Sequence, residues 1–480
     1  MPKGKFYVTT AIDYVNDVIH IGHSYQKILA DILYRCHRLN GQDARFLTGT
    51  DNHGRKAEEG AKRADLPVVE FSRKISDEDE EQLRVLNIHP SRFIRTTDPD
   101  HKKTVYRLYQ EIKANGDIYR GEYKSLYCPG CEEFKTQRDL VAGKCSAHPT
   151  AHLEILAEEN YFFRLSKYQD FLTGYIERDP KFVQPEGHRK EVLAFLRNEP
   201  LQDTPISRPK VKWGIPFPDD PDHTFYVWFE ALINYVTGAD DHWPADIHFI
   251  GKDNLRFHTI LWPAMLKSAG IELPKTIYAH GFLSIGGQKI SKSLGNVIRP
   301  KELVSEMAKD AGIDEKLAAD GVRYYLARYG PLVKDADFSR EHLKEIYNAD
   351  LANGLGNLIA RVAKLCEKSG AVFEGPSGLD LSDKVNQHLD NIRPDLALEY
   401  IWANISALDK YIDKERPWSL EGSDLKNRLR KIVVGEGGRE GILQIAHDLK
   451  PFTPEISKRV AEHFKGPKIE ARPPLFPRVK

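Results

Sequence analysis

FYVTTAIDYVNDVIHIGHSYQKILADILYR, residues 6–35, decides the fold. It opens on a β-branched, aromatic run, which reads as a strand over 4–10. It closes on an amphipathic pattern, which predicts a helix over 22–38. A second strand, DARFLTGTDNHG, follows at 43–54 and ends in polar loop residues. Helical patterns come next at 55–64, 67–86 and 99–115. A strand–helix–strand start of this kind predicts an α/β fold with a Rossmann-type parallel sheet. Ligands of such sheets gather at the carboxyl ends of the strands.

The junction of strand and helix holds His20-Ile21-Gly22-His23. Backbone N–H groups at a helix start are unpaired and the dipole there favours anions. The two imidazoles therefore suit a phosphate ligand. A metal pair and a simple helix cap are the other readings.

The pattern breaks after NGDIYRGEY, where turns, short strands and three of the five cysteines follow. It resumes with HTFYVWFEALINYV, DIHFIGKDNLRFHTILWPAMLKSAG and KTIYAHGFLSI. One sheet interrupted by an insertion is the simplest account. From 341 onwards the chain reads as mostly helical. The expected division is a first catalytic half at 1–117 and an inserted domain at 118–222. A second catalytic half at 223–285, a loop and linking region at 286–340, and a helical domain at 341–480 complete it.

Charge offers little. Lys+Arg and Asp+Glu both number 70, so any basic surface for nucleic acid must be local. Residues 451–480 carry a small basic surplus, which suits either a nucleic-acid backbone or a solvated tail. The opening MPKGKFYVTTAID lacks the apolar run of a secretory leader, and no stretch reaches the length of a membrane span. A cytoplasmic protein with no membrane partner is expected. The cysteine count is odd and clustered, which points to a metal in a reducing compartment. In CPGCEEFKTQRDLVAGKCSAH, Cys128 and Cys131 stand in C-x₂-C spacing, and Cys145 and His148 repeat it. Four such ligands hold one structural Zn²⁺ with no open position for catalysis.

The second cationic element is GGQKISKSLGN, residues 286–296. Lys289 and Lys292 lie in a loop flanked by Gly286, Gly287 and Gly295. Such a loop can close over a polyphosphate, where lysine acts as a compact point charge. Alone it reads equally well as a solvated charge run. Together the two elements resemble the HIGH and KMSKS signatures of class I aminoacyl-tRNA synthetases, with Ile290 where Met is usual. The resemblance covers nearly the whole chain and tightens to the methionyl family.

TTAIDY is similar to the strand before HIGH, which implies a methionine site lined by Ala11, Ile12 and Tyr14. TGTDNHG resembles TGTDEHG and implies Asp51 for the ammonium group, with Asn52 departing from the usual acidic residue. YVWFEAL resembles YVWFDAL and implies Trp228, with Glu230 longer than the usual Asp. GKDNLRFH implies Gly251, Lys252 and Asp253 on the ATP side and Phe257 and His258 in the pocket. His258 either bonds near the thioether or orients its neighbours. His20, His23, Lys289 and Lys292 are the expected catalytic groups. His20, Gly22, His23 and Lys292 also belong to the expected ATP site. Aromatic rings suit methionine because its thioether is polarizable. In the helical domain GNLIARV and ERPWSL imply Asn357, Arg361 and Trp418 for the anticodon. The resemblance implies activation of L-methionine by ATP, with Mg²⁺, and transfer to tRNA(Met), initiator tRNA included, by a monomer.

A cysteinyl enzyme would need a thiolate before HIGH, and FYVTTAIDYVND has none. Valyl, isoleucyl and leucyl enzymes usually carry a large editing insertion, for which the length leaves little room. A non-catalytic tRNA-binding paralogue would keep the anticodon residues but lose the phosphate-binding histidines or lysines, and both are present.

Overall fold

The computed structural model describes residues 4–479 apart from 132, 136–139, 210, 371, 373–377 and 437–438. Its centre is a parallel sheet of seven strands: β1 (Lys5–Thr10), β2 (Asp13–Tyr14), β3 (Asp43–Asp51), β4 (Arg92–Arg95), β5 (Val183–Gln184), β6 (Ile247–Gly251) and β7 (Ile277–His280). The order is β5-β7-β6-β1-β3-β2, and β4 also pairs with β3. Val8 pairs in register with Ile247 on one side and Phe46 on the other. The order therefore reverses between β1 and β6. Ala11, Asp51 and Gly251 stand at the carboxyl ends around this switch point, the place where ligands of such sheets bind.

Five helices position the site and its extensions: α1 (Ile21–Leu39), α2 (Pro99–Ala114), α3 (Val227–Ala231), α4 (Glu315–Tyr329) and α5 (Asn357–Ser369). Helix α1 buries Tyr25, Ile28, Leu29, Ile32, Leu33 and Cys36. Two charges lie on the same buried side. Lys27 pairs with Asp13, and Asp31 pairs with the fully buried Arg323 of α4 at 2.7 Å. Buried ions persist only when partnered. Arg323 also donates to Leu86 O (3.2 Å), Pro451 O (3.1 Å) and Phe452 O (2.8 Å). The helix that starts at HIGH is thereby tied to the helical region.

Residues Ile118–Cys128 and Glu154–Phe163 form an antiparallel ribbon carrying the cysteine cluster. The chain then returns to the sheet edge at β5, which lies within the stretch that the sequence assigns to the insertion. The C-terminal segment is docked. Ile469, Phe476 and Val479 are buried, and Asn348 exchanges two hydrogen bonds of 2.9 Å with the Val479 backbone. Among the described residues no helix is long and apolar enough to cross a membrane.

Candidate active site

His20 caps α1 in an extended conformation. Its Nδ1 accepts from the Gly22 N–H at 3.1 Å, while His23 Nδ1 accepts from the His20 N–H at 3.3 Å. The two rings lie 3.9 Å apart. Burial and the neighbouring His23 push the His20 imidazole down to about 2. Burial and Lys27 push His23 down to about 3. Both rings are therefore neutral. Since Nδ1 is the acceptor in each, the proton sits on Nε2. The pair caps the helix, and each ring keeps an Nε2–H donor. Among the described residues the only group of three or more His, Cys, Asp or Glu side chains able to hold a metal is at the cysteines, and the histidine pair has no third ligand in such a group.

A Cβ on Gly22 would stand 2.9 Å from the His20 ring and 3.5 Å from Ile290. Glycine thus makes room for the His20 ring over the first turn, and Ile290 of KISKS packs beside it. Ile290 is buried, so the apolar role survives the change from Met. The Ile21 N–H also donates to Ile298 O at 2.9 Å, which ties the start of α1 to the segment just after the loop. Gly286, Gly287 and Gly295 hold φ of +58°, +71° and +66°, turns that other residues rarely make. Lys292 pairs with Asp17 at 2.7 Å, and Arg299 stands 3.5 Å from the same oxygen. The Lys289 ammonium lies 5.8 Å from the centre of the Phe282 ring. Lys252 pairs with Asp335 at 2.7 Å and covers the same ring at 4.5 Å. Asp253 is exposed beside Gly251.

Trp228 stacks on Phe257 at 3.7 Å, and Tyr14 meets Trp228 edge-on at 6.3 Å. Phe257 opens a π-helical turn, Phe257–Leu261, which widens the helix at this point. Ala11 is buried, Ile12 is half-buried, and the buried Asp51 ends β3. His258 meets Trp228 at 6.4 Å. Its Nδ1–H donates to Asn254 O at 2.9 Å, which leaves Nε2 to accept from the Tyr235 hydroxyl at 2.7 Å. Burial lowers its pKa to about 4. Both ring nitrogens are thus hydrogen-bonded within the protein.

Sequence reasoning missed Asp17 and Tyr235. It also missed the polar layer behind the pocket, where Glu230 bonds His53 and His101. Burial pushes the Glu230 carboxyl up, but the two histidines more than offset this and hold it below the ordinary glutamate value. The one available signal was the set of polar residues inside otherwise apolar segments.

Cys128, Cys131, Cys145 and His148 converge with all ligand atoms within 4.8 Å of one another. Cys131 Sγ is 3.5 Å from Cys145 Sγ and 3.1 Å from His148 Nδ1. A tetrahedral ion with bonds of about 2.3 Å sets its ligands roughly 3.8 Å apart, so this donor set fits. A Cβ on Gly130 would meet the His148 ring at 2.6 Å, which explains a glycine inside the knuckle. Elemental analysis should find about one zinc per chain in the wild type and close to none in Cys145→Ala. A metal-free wild type would contradict the assignment.

In the helical region Asn357 and Arg361 lie one turn apart at the start of α5. Arg361 pairs with Asp413 at 2.5 Å, and its guanidinium covers the Trp418 ring at 5.1 Å. Trp418 is 48% exposed. It is a surface aromatic and not a core residue.

Comparison with known proteins places this arrangement. A model of the family described as tRNA synthetases class I (M) matches residues 6–363. The methionine–tRNA ligase of Thermotoga maritima is 40% identical over 98% of this chain and 76% of its own length. That of Nostoc sp. is 39% identical over 96% of this chain and 89% of its own. The solved structure of Mycobacterium tuberculosis methionyl-tRNA synthetase in complex with methionyl-adenylate covers both chains fully, with 35% identity and a TM-score of 0.88. Its free form matches with a TM-score of 0.80 at 33% identity, over 99% of this chain and 98% of that one. The chain belongs to the methionyl family of class I tRNA synthetases.

Proposed function

We propose that the protein is a methionine–tRNA ligase. It activates L-methionine with ATP to methionyl-adenylate and pyrophosphate, then transfers the methionyl group to the 3′ end of tRNA(Met), initiator included, releasing AMP. One observation carries this reading: HIGH packs beside KISKS, and at the same strand ends Tyr14, paired with Asp51, joins Trp228 and Phe257 in one aromatic cluster.

Asp51 receives the ammonium group, and the aromatic rings receive the thioether. Ala11 and Ile12 complete the amino-acid side. Gly251, Lys252 and Asp253 take the nucleotide side. The Nε2–H groups of His20 and His23 donate to phosphate oxygens, and Gly22 lets the phosphates approach. A methionine carboxylate oxygen attacks the α-phosphorus in line, and pyrophosphate leaves. Lys289 and Lys292 neutralise charge on that leaving group, Lys292 by exchanging Asp17 for phosphate. The terminal ribose hydroxyl of the tRNA then attacks the adenylate carbonyl and AMP departs. Positioning and charge stabilisation carry the chemistry.

Mg²⁺ accompanying ATP would neutralise part of the triphosphate charge beside Lys289 and Lys292. Zinc at Cys128, Cys131, Cys145 and His148 holds the knuckle in shape. Asn357, Arg361 and Trp418 read the anticodon. The five-part domain division, a cytoplasmic location and a monomeric state are carried forward from the sequence. A charging assay tests the whole reading. Labelled methionine should become esterified to tRNA(Met), with ATP required. Methionine that stays free, or that loads other tRNAs equally well, would contradict it.

A further inference from the structure

We infer that Glu230 is a positioning residue for the amino-acid site, holding the Asp51 and Trp228 walls at a fixed separation through His53 and His101. The inference rests on the function proposed above. Glu230 is 1% exposed and follows Trp228 by two positions on the short helix α3. His53 follows Asp51 by two positions, in the loop after β3. The Glu230 carboxylate faces His53 Nδ1 through Oε1 at 2.8 Å and His101 Nε2 through Oε2 at 3.0 Å. An ionised carboxylate only accepts, so both imidazoles turn an N–H towards it.

The bridge is anchored on each side. His101 lies on α2, and its Nδ1 stands 3.2 Å from the Thr237 hydroxyl. His53 Nδ1 is also 3.2 Å from the Thr96 hydroxyl, which accepts from the Asn52 N–H at 2.9 Å. Trp213 donates to Asn52 O at 2.5 Å and packs edge-on against His53. The backbone beside Asp51 is thus fixed by Thr96 and Trp213, and joined to the Trp228 helix through one carboxylate. Three separate segments meet at this glutamate. None of its own atoms is needed at the reacting centre.

Glu230→Gln tests the bridge with little change in volume. An amide keeps one acceptor and replaces the other by a donor, which would confront a histidine N–H. One arm must turn away or its imidazole must change tautomer and give up the hydrogen bond made by its other nitrogen, and either change loosens the common reference of the walls. Initial rates of ATP–pyrophosphate exchange should show the methionine KM raised about three- to tenfold, because sub-ångström placement governs such sites. The ATP KM should stay within about twofold, since His20, His23 and Lys292 lie on other elements. His101→Gln cuts one arm from outside the pocket and should shift methionine KM in the same direction. If Glu230→Gln fails to fold, that variant carries the test. Thermal unfolding run in parallel identifies folded protein. Equal rises in both KM values, a change in kcat alone, or no change would overturn the inference. Loss of methionine-dependent exchange in the wild type would instead overturn the proposed function.

Discussion

Lys292→Ala should slow adenylate formation by about a hundred- to a thousandfold in a single-turnover assay, the usual loss when a preorganised charge is removed from a transition state. Lys292 rests on Asp17 at 2.7 Å and remains 65% exposed, so its pairing is weak and readily exchanged. Arg299, 3.5 Å from the same carboxylate, leaves Asp17 a second cation when Lys292 departs. Glycines on both sides of the loop allow the movement. Charge on the departing pyrophosphate appears only as the bond to the α-phosphorus breaks. Lys292 therefore acts on the transition state more than on the bound substrates. Methionine affinity should change far less than the rate. An unchanged single-turnover rate would remove Lys292 from the mechanism.

Trp418→Ala should reduce charging of tRNA about ten- to a hundredfold while leaving adenylate formation without tRNA nearly intact. Stacking of a base on an aromatic ring contributes about 1–3 kcal/mol, and each 1.4 kcal/mol is about tenfold. The ring is half-exposed, with Arg361 beside it, so its loss opens no core cavity. Fully buried tryptophans cost about 3–5 kcal/mol of stability on truncation, and that would damage both reactions. Exchange and charging measured on one folded preparation separate the two cases. Equal losses in both assays, or none in charging, would reject an anticodon role for Trp418.

The sequence made the first strand–helix–strand unit legible, because its periods change from two to three-and-a-half within a few residues. The expected helix at 22–38 and strand at 4–10 lie within a residue of α1 and β1. The Cys₃His cluster was equally legible, since its four ligands fall in two short spacings. What remained hidden depends on distant partners. Glu230 meets residues 177 and 129 positions away. Lys27 and Asp31 look like a solvated face of a helix, yet their partners Asp13 and Arg323 bring them inside. Strand β5 spans only Val183–Gln184, too short for a periodic signal. Trp418 illustrates a different limit: a tryptophan in a short loop segment carries no periodic signal for surface or core, and its 48% exposure places it on the surface. The tail reads as a basic stretch, solvated or facing a nucleic-acid backbone; Phe476 and Val479 dock it against the helical region while Arg472 and Arg478 stay exposed.

Choice of amino acid is the central claim, and one measurement reads it directly. Wild-type protein is supplied with ATP, Mg²⁺ and labelled pyrophosphate, without tRNA, and each of the common amino acids is added in turn. Methionine should support exchange, with cysteine, leucine, isoleucine and valine far below it. Exchange driven best by another amino acid, or by none, would contradict the account.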